Sequence, residues 1–327
     1  MHDNLSPRPL VSVVAPVYNE GAALPELVDR LGRVASALDA EYRFEFILVD
    51  DGSSDNSLDV ARTLADIDGR LRVIELRRNY GQTAALQAGL DRATGEILIS
   101  MDADLQHKPE DIPRFLARIR SGDEVVCGWR YERQDSIVRR WPSRVANRLL
   151  REISGLTIHD IGTTYRAYTA DVARDFRLLG EGHRFVPVFA SRAGARIGEL
   201  KIENPARTAG VSKYGLSRTL NVFVDLFWVA FYALYLDRPI RLFGRAAIVT
   251  LLLAFLITGG LTYEFLTTGT AVVRQSSGWF LLALVLYVSA GQFMFFGIVC
   301  ELLVRIYFQS DRYASYHIRQ EWPKGSA

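Results

Sequence analysis

Two short apolar runs near the start of the chain are separated by a segment whose apolar residues recur every three or four positions. The runs, Leu10–Ala15 and Phe44–Val49, are rich in β-branched and aromatic residues, which is typical of strands buried on both faces. The segment between them, residues 24–34, has the spacing of a helix with one apolar face. The pattern therefore predicts a strand, a helix and a second strand.

The same alternation of strand and helix patterns continues over the first two hundred residues. The predicted elements that follow are a helix at Leu58–Ile67, a strand at Leu71–Leu76, a helix at Ala84–Ala93, a strand at Glu96–Ser100, a helix at Pro109–Ile119, and strands at Glu124–Cys127 and Arg196–Ile202. Such alternation favours a Rossmann-like α/β fold with a mostly parallel sheet, which binds ligands at the carboxyl ends of its strands.

After residue 215 the pattern becomes almost wholly apolar. Leu242–Leu261 and Trp279–Leu303 each reach the roughly 20 residues that a helix needs to cross a bilayer. Leu220–Leu236 is shorter and carries Asp225, which favours a helix at the membrane surface over a buried soluble helix. The sequence predicts an α/β domain at 1–215, a juxtamembrane interfacial helix at 216–240, a two-helix transmembrane anchor at 241–309 and a cytoplasmic tail at 310–327.

Charge and cysteine content add to this division. A formal net charge of +2 gives no indication of nucleic-acid binding. The chain does not open on the pattern of a signal peptide, so the α/β domain is expected in the cytosol. Arginines precede the first span and follow the second, whereas the connecting loop holds only Arg274; both ends are therefore expected to be cytoplasmic. Cys127 and Cys300 fall in a predicted strand and a predicted membrane helix, and no disulfide is expected.

Acidic residues follow three of the predicted strands at the point where each strand ends. They are Glu20 after the first strand, Asp50 and Asp51 after the second, and Asp102 and Asp104 after the fourth. Because the carboxyl ends of parallel strands meet at one edge of a sheet, we expect these side chains to converge. Helix capping could account for Asn19 or for Ser53–Asp55 taken alone. It does not explain adjacent acids followed by a further acidic loop.

The turn Asp102-Ala103-Asp104 offers the ligands that a hard divalent cation prefers. Carboxylate oxygens suit Mg²⁺ or Mn²⁺, and diphosphate oxygens can complete the coordination shell. The sequence contains neither common glycine-rich phosphate loop, and it has no His/Cys pattern for zinc. A nucleotide diphosphate bound here would therefore need a metal to neutralise it. We expect Asp102 and Asp104 to hold this cation, and the cation to hold a leaving group.

Four sequence blocks occur in order along the chain: VVAPVYNEG, ILVDDGSSDNS, RNYGQTAALQAGLDRATGEILISMDADLQHKPEDIP and GVSKY. Together with the paired C-terminal spans, they resemble family 2 glycosyltransferases with the GT-A fold. Within that family they are most similar to the polyprenyl-phosphate branch, which includes dolichyl-phosphate mannose synthases, GtrB-type glucosyltransferases and undecaprenyl-phosphate aminoarabinose transferases. Arg133–Ser136 and Arg166–Tyr168 also resemble the last group.

The resemblance implies roles for particular residues of this chain. The residues implied to cradle the base and ribose are Pro16, Tyr18, Glu20, Val49 and Asp51. The residues implied to bind the metal and the sugar-diphosphate are Asp102, Ala103, Asp104 and Gln106, with Asp102, Asp104 and Gln106 as metal ligands. The residues implied to face the sugar-diphosphate or the acceptor phosphate are Arg130, Arg207 and Lys213. Asp104, Arg130 and Lys213 are the expected catalytic residues. For Arg207 and Lys213, a membrane-facing basic patch is the alternative interpretation.

Two departures from the family pattern limit what the resemblance implies. Some relatives have an Asp, considered a base, directly before the aromatic-Arg pair, where this chain has Thr164, with Asp160 further back. A lipid phosphate is already anionic and can attack without a base. Processive polysaccharide synthases have a Gln three residues before an Arg-Trp pair, where this chain has Ile137, which disfavours a processive reaction.

The sequence thus predicts a membrane-bound enzyme that transfers one sugar, with inversion, from a UDP- or GDP-linked donor to a polyprenyl phosphate. A processive synthase and a non-catalytic nucleotide-sugar-binding adaptor are the alternatives. The expected location is the bacterial inner membrane, with the catalytic domain and both termini in the cytoplasm. The resemblance further implies that the protein forms a homo-oligomer, a tetramer. The expected partners are a nucleotide-sugar, a polyprenyl phosphate and the bilayer. No nucleic-acid partner is expected.

Overall fold

The computed structural model describes residues 8–131, 158–175, 177–178, 182–203, 231, 235, 238–269, 277–309, 316 and 318–322. The chain divides into two compact units. The first comprises Met1–Val229 together with Ala314–Ala327, and the second comprises Ala230–Tyr313. Arg207, Lys213, Ile137, the RQDS block and most of the predicted interfacial helix lie outside the described residues.

The first unit is built on an eight-stranded sheet, counted over the described residues, with the order β7-β5-β6-β4-β1-β2-β3-β8. The strands are β1 (Leu10–Val17), β2 (Arg43–Asp50), β3 (Leu71–Leu76), β4 (Ile97–Ser100), β5 (Val125–Arg130), β6 (Arg166–Thr169), β7 (Ile197–Ile202) and β8 (Ile318–Trp322). Its helices are α1 (Leu24–Ala37), α2 (Ser57–Ile67), α3 (Gln82–Arg92), α4 (Ile112–Arg120), α5 (Ala170–Asp175) and α6 (Val186–Arg192). The predicted mostly parallel α/β sheet is confirmed.

Apolar contacts on both faces hold the central strands in place. Phe46 and Leu48 of β2 are buried in the same cluster as Leu27 and Leu31 of α1. On the other face, α3 approaches so closely that a Cβ on Gly89 would lie 2.2 Å from Val14 Cγ1 of β1. Only a glycine permits that approach. The tight packing fixes where each strand ends, and therefore where the acidic loops begin.

Two strands of the sheet were not predicted from the sequence, and both run antiparallel to their neighbours. β6 lies between β4 and β5 and pairs with each of them in the antiparallel sense. β8 comes from the segment predicted as a tail and pairs with the edge strand β3. Both strands are short, so neither carries a long apolar or alternating pattern.

The second unit is built on two long apolar helices, α7 (Ile240–Thr268) and α8 (Ser277–Gln309). Both are long and apolar enough to cross a membrane, with mean hydropathies of 2.1 for Ile240–Thr268 and 2.0 for Ser277–Val304. The residues that they bury are mostly alanines spaced seven apart, while larger apolar side chains are exposed. These buried residues are Ala247, Ala254 and Leu261 on α7 and Ala283, Ala290 and Gly297 on α8. Small residues at seven-residue spacing allow two helices to pack closely where lipid covers the rest of their surface.

Candidate active site

The loops after β1, β2, β4 and β5 leave the sheet at the same edge, since these strands run parallel or are related through β6. The ring of His107 is buried at this edge. Its charge state is influenced by Asp102, Asp104, Arg130 and Asp160. These groups belong to the loop after β4, to the end of β5 and to the loop before β6. The expected convergence of the acids after β1 and β2 with Asp102 and Asp104 stays a prediction.

The loop after β2 uses its acids to hold the backbone. Asp51 is 3 % exposed, and its two oxygens accept the backbone N–H groups of Tyr80 at 2.7 Å and Gly81 at 2.9 Å. Burial raises the pKa of Asp51, although the two amide donors oppose this shift. Asp50 is 2 % exposed and accepts the N–H of Ser53 at 3.1 Å. Asp51 therefore fixes the turn that precedes α3, and Asp50 fixes the turn that precedes α2.

Asn19 links the loop after β1 to the loop after β2. Its φ of 59° lies in the left-handed region, which Asn tolerates better than most residues. Asn19 Oδ1 accepts the N–H groups of Ser54 at 2.8 Å and Asp55 at 3.3 Å, while α1 has no side-chain cap. The capping role considered for Asn19 is thus directed at the neighbouring loop, not at its own helix.

The loop after β4 leaves its acids partly exposed. Asp102 Oδ1 accepts a hydrogen bond from Gln82 Nε2 of α3 at 2.7 Å. Asp104 Oδ1 accepts the N–H of Gln106 at 3.1 Å, and Leu105 between them has a φ of 61°. The turn is therefore tightly bent and leaves both acids partly exposed.

The buried side chain of His107 holds the backbone of this turn. Its Nδ1 accepts the backbone N–H of Asp102 at 3.1 Å, and its ring stacks on Tyr165 with centroids 5.0 Å apart. Burial lowers the pKa of His107, so the ring is neutral at neutral pH and can accept this hydrogen bond. Tyr165 in turn donates its hydroxyl to the carbonyl of Lys108 at 2.8 Å. The loop after β4 is thereby fixed at Asp102 and again at Lys108.

Arg130, at the end of β5, is held by a two-point ion pair. Its Nε lies 2.7 Å from Asp160 Oδ2 and its Nη2 lies 3.0 Å from Asp160 Oδ1. Glu199 of β7 accepts the backbone N–H groups of His159 at 2.7 Å and Asp160 at 3.1 Å. Bidentate pairs of this kind fix the plane of the guanidinium as well as its position. Asp160 and Glu199 are therefore positioning residues for Arg130.

Arg166 is fully buried and holds two loops beside the site. Its guanidinium donates to the carbonyl oxygens of His183 at 2.5 Å and Ile161 at 2.7 Å. The Nδ1 atom of His183 lies 2.6 Å from Oγ1 of Thr83, at the start of α3. Burial lowers the pKa of His183 to about 3. The loop that carries Asp160 is thus fixed to the same helix end that contacts Asp102.

The donor set around Asp102 and Asp104 fits a divalent cation only with help from a ligand. Both side chains carry hard oxygen atoms and are partly exposed on one turn, and the N–H of Gln106 contacts Asp104. Among the residues that the structure describes, no three His, Cys, Asp or Glu side chains are grouped so as to hold a metal ion. A cation held here would need further oxygen ligands, which a diphosphate can supply.

The other residues implied by the resemblance lie around the same edge. Tyr18 is 48 % exposed, whereas the side chains of Val49 and Ala103 are buried. Val49 packs against Gly89 of α3, so its backbone is the part that could reach a nucleotide. Pro16 and Glu20 are partly buried. The nucleotide-binding assignments of these residues and of Asp51, and the phosphate-binding assignments of Arg207 and Lys213, stay predictions.

Sequence reasoning missed His107, Gln82, Glu199 and the role of Arg166. His107 lies in the same block as Asp102, but nothing in the sequence shows that its ring turns back toward the Asp102 amide. Gln82 and Glu199 lie far from the residues that they support, and β6, which would have placed Arg166, was itself not predicted.

Comparisons with known proteins agree with this geometry. Residues 12–177 match the model of the family described as Glycosyl transferase family 2. The chain is 38% identical over 315 residues to a dodecaprenyl-phosphate galacturonate synthase of Rhizobium johnstonii, covering 95% of this chain and 92% of that protein. It is 38% identical over 303 residues to an undecaprenyl-phosphate 4-deoxy-4-formamido-L-arabinose transferase of Pseudomonas aeruginosa, covering 92% of this chain and 87% of that protein.

A solved structure shares the fold. It is a glucosyl-3-phosphoglycerate synthase from Mycobacterium tuberculosis in complex with Mn²⁺, uridine-diphosphate and glucosyl-3-phosphoglycerate. It aligns with a TM-score of 0.52 at 19% identity, covering 69% of this chain and 80% of that one. The GT-A-like fold expected from the sequence is confirmed. With a family match over half its length and relatives aligned over nearly all of it, the chain belongs to glycosyl transferase family 2.

Proposed function

We propose that this glycosyltransferase moves one sugar from a nucleotide-sugar to a polyprenyl phosphate at the surface of a membrane. The observation that carries the proposal is the turn after β4, where His107 holds the backbone and Asp102 and Asp104 stay partly exposed, in a chain that also has two apolar helices of membrane-spanning length. Two partly exposed acids on one turn suit a metal-bound diphosphate leaving group. The apolar helices suit an acceptor that stays in the bilayer.

The names of the relatives support the choice of acceptor. Both curated relatives act on a polyprenyl phosphate, dodecaprenyl in one and undecaprenyl in the other. The sugars differ: galacturonate in the first and 4-deoxy-4-formamido-L-arabinose in the second. A UDP-linked sugar is the first donor class to test, because a structural neighbour binds uridine-diphosphate with Mn²⁺.

Each part of the site has a role in this reaction. Tyr18 is exposed in the loop after β1, which Asn19 joins to the loop after β2, and a base and ribose would bind there. Asp102 and Asp104, with Gln106, would hold Mg²⁺ or Mn²⁺ against the diphosphate. A bound cation would neutralise the charge that develops on the leaving diphosphate. Arg130, fixed in orientation by Asp160, would donate to the same diphosphate.

The acceptor needs no general base. A lipid phosphate is anionic at neutral pH, so its oxygen can attack the anomeric carbon in line with the leaving group. Asp160, the acid nearest to the position where some relatives have one, accepts two hydrogen bonds from Arg130. That pairing supports a positioning role for Asp160 and opposes a role in proton abstraction.

Chain connectivity supports the predicted orientation in the membrane. The chain leaves the first unit before α7 and rejoins it after α8. Two consecutive spans return a chain to the side from which it started, so the catalytic unit and both termini would lie on one side. With the arginine distribution described above, that side would be the cytoplasm. Homo-oligomer formation, including a tetramer, remains a prediction.

The test is a screen of nucleotide-sugars with undecaprenyl phosphate and purified full-length protein. The donors are UDP-galacturonate, UDP-4-deoxy-4-formamido-L-arabinose, UDP-glucose and GDP-mannose, each assayed with Mg²⁺ and with Mn²⁺. We expect one donor to yield a lipid-linked monosaccharide. Donor binding without turnover across the screen would favour the adaptor, and products with several sugars would favour a processive synthase.

A second test concerns the acceptor side, where Arg207 and Lys213 were predicted to contact phosphate. Replacing Lys213 or Arg207 with Ala is expected to lower transfer strongly while the protein stays folded and inserted. Lys213→Arg is expected to restore activity only in part, because a planar guanidinium and a compact ammonium differ in geometry. A loss that anionic lipid restores would instead identify a general basic patch.

A further inference from the structure

We propose that the C-terminal strand β8 positions the donor site, and that Arg319 is the residue through which it acts. The proposal rests on the function proposed above, because it concerns how tightly the donor nucleotide is held. It assigns a role to a segment that the sequence predicted only as a tail. Arg319 is a positioning residue in this proposal, since it contacts another loop and not the reacting groups.

β8 lies along the edge strand β3. β8 runs antiparallel to β3, with Trp322 opposite Val73 and Ile318 opposite Leu76. The Ile318 end therefore lies at the carboxyl end of β3, from which the loop at residues 77–81 leaves the sheet. The pairing is irregular between Glu75 and Leu76, next to that loop.

Arg319 makes two contacts at this end of the strand. Its Nη1 donates to Glu75 Oε1 at 3.0 Å, and its Nη2 donates to the backbone carbonyl of Arg77 at 2.9 Å. Glu75 is 5 % exposed, and its other oxygen accepts a hydrogen bond from Arg62 at 2.9 Å. One guanidinium thus joins β8 both to a buried carboxylate and to the first residue of the loop.

The loop at residues 77–81 holds Asp51, which is predicted to contact the donor nucleotide. Its Tyr80 and Gly81 N–H groups are the two donors to Asp51. A Cβ added to Gly52 would lie 2.6 Å from the carbonyl carbon of Arg78, so the loop packs directly on the backbone that follows Asp51. The loop then enters α3, whose first residue, Gln82, donates to Asp102.

These contacts form a continuous series from β8 to the predicted metal-binding acid. Arg319 fixes the carbonyl of Arg77, the loop after it rests on Gly52 and donates to Asp51, and Gln82 completes the series at Asp102. Without Arg319, the loop would keep its contacts to Asp51 but lose its support on the outer side. We therefore expect the donor to bind more weakly, with little effect on the chemical step once the donor is bound.

The other end of β8 provides a matched control. Glu321 lies opposite Ile74, accepts a hydrogen bond from Arg92 Nε at 2.9 Å and contacts no residue of the 77–81 loop in the bonds that the structure describes. The Arg62 guanidinium lies 3.7 Å from the centroid of the Trp322 ring. Glu321→Gln should weaken the attachment of β8 without acting on the donor loop.

The experiment compares Arg319→Ala, Arg319→Lys and Glu321→Gln in full-length protein. Hydrogen–deuterium exchange is measured for residues 77–81 and for residues 318–322, together with binding of UDP in the presence of Mn²⁺. Steady-state rates are measured with the donor identified by the screen. Lysine can keep the ion pair with Glu75, but its single ammonium cannot hold Glu75 and the Arg77 carbonyl in the same fork geometry.

Arg319→Ala is expected to speed exchange in residues 77–81 and to raise the donor KM about three- to tenfold with kcat within about twofold, because the loop loses the hydrogen bond at Arg77 but keeps its contacts to Asp51. Arg319→Lys should keep residues 318–322 protected while residues 77–81 exchange faster. Glu321→Gln should leave the donor KM unchanged. The proposal is overturned if the loop exchanges normally in both Arg319 variants, or if Glu321→Gln raises KM equally. Because exchange needs no turnover, it decides the proposal even if no donor in the screen is transferred.

Discussion

The loop after β2 and the loop after β4 each carry two acids, but the surroundings of their carboxylates differ. Asp50 and Asp51 are 2 % and 3 % exposed, and Asp51 accepts two backbone N–H groups. The Asp102 side chain is 29 % exposed and accepts a hydrogen bond from the side chain of Gln82. Asp104 is also partly exposed. The first pair is used largely to hold backbone, and the second is accessible to a ligand.

We infer from this difference that one sheet edge has separate positions for support and for a ligand. Buried carboxylates are usually hydrogen-bonded, and both oxygens of Asp51 accept backbone amides of the 77–81 loop. Asp50 is satisfied only in part: Oδ2 accepts the Ser53 N–H, while Oδ1 is buried without a hydrogen-bond partner among the described residues. The turn after β4 could not work in the same way, because a carboxylate occupied by amides has fewer lone pairs for a metal. Its own backbone is instead held by His107, through the Asp102 N–H.

The largest expected effect separates the two loops most clearly. Asp102→Asn or Asp104→Asn should lower transfer by about 100-fold or more, because the charge that would hold the cation and diphosphate is lost. The melting temperature should change little, since partly exposed substitutions usually alter stability by less than about 0.5 kcal/mol. Turnover and thermal unfolding measured on the same preparations test this.

Metal removal provides the control. Treatment with EDTA should reproduce the loss in the wild type, and added Mn²⁺ or Mg²⁺ should reverse it. Full activity in a metal-free preparation would contradict the assignment of both acids as metal ligands.

Asp51→Asn should affect stability and activity together. An Asn side chain has one acceptor oxygen, so its NH₂ group would face one of the two N–H groups of Tyr80 and Gly81. The free energy of unfolding should fall by about 1–3 kcal/mol, the cost of an unsatisfied buried donor. Activity at subsaturating donor should fall by about tenfold, since the loop that leads to Gln82 loosens and the donor binds more weakly. A variant that loses activity at full stability would place Asp51 with the ligand-binding acids instead.

Asp160→Asn should lower turnover less than the changes at Asp102 or Asp104. The amide keeps one acceptor for Arg130 but loses the ion pair, so the guanidinium is less well oriented. We expect a loss of about tenfold in kcat with measurable activity remaining.

The ion pair between Arg30 and Glu110 is the control, because it is also bidentate and lies in the same unit. Arg30 Nε and Nη2 lie 2.9 and 2.6 Å from the two carboxylate oxygens of Glu110, which is exposed. Glu110→Gln should leave turnover unchanged. If Asp160→Asn is as inactive as Asp102→Asn, then Asp160 has a direct part in the reaction.

Much of this site could be predicted from the sequence because it follows from strand order. Apolar runs located β1, β2 and β4, and their carboxyl ends placed the acidic loops at one edge. The difference between Asp51 and Asp102 could not be predicted, since both follow apolar strands. It depends on the loop at 77–81, whose amides reach Asp51 from another part of the chain. β8 was missed for a similar reason: a strand of five residues at a sheet edge pairs with a partner far away in sequence.

The smallest expected effect tests whether the two loops communicate through α3. Gln82 follows the 77–81 loop directly and donates to Asp102 at 2.7 Å, so it joins the supporting loop to the binding loop. Gln82→Ala keeps a good helix former at the start of α3 but removes this hydrogen bond. Residues that orient a metal ligand typically change metal affinity by about 10- to 100-fold, and we expect the lower end because Asp102 is also held through its backbone. The concentration of Mn²⁺ that gives half-maximal activity should therefore rise about tenfold, while saturating Mn²⁺ restores the rate. A loss that Mn²⁺ cannot restore would mean that Gln82 contacts the donor itself, and an unchanged Mn²⁺ requirement would mean that Asp102 does not depend on α3 for its orientation.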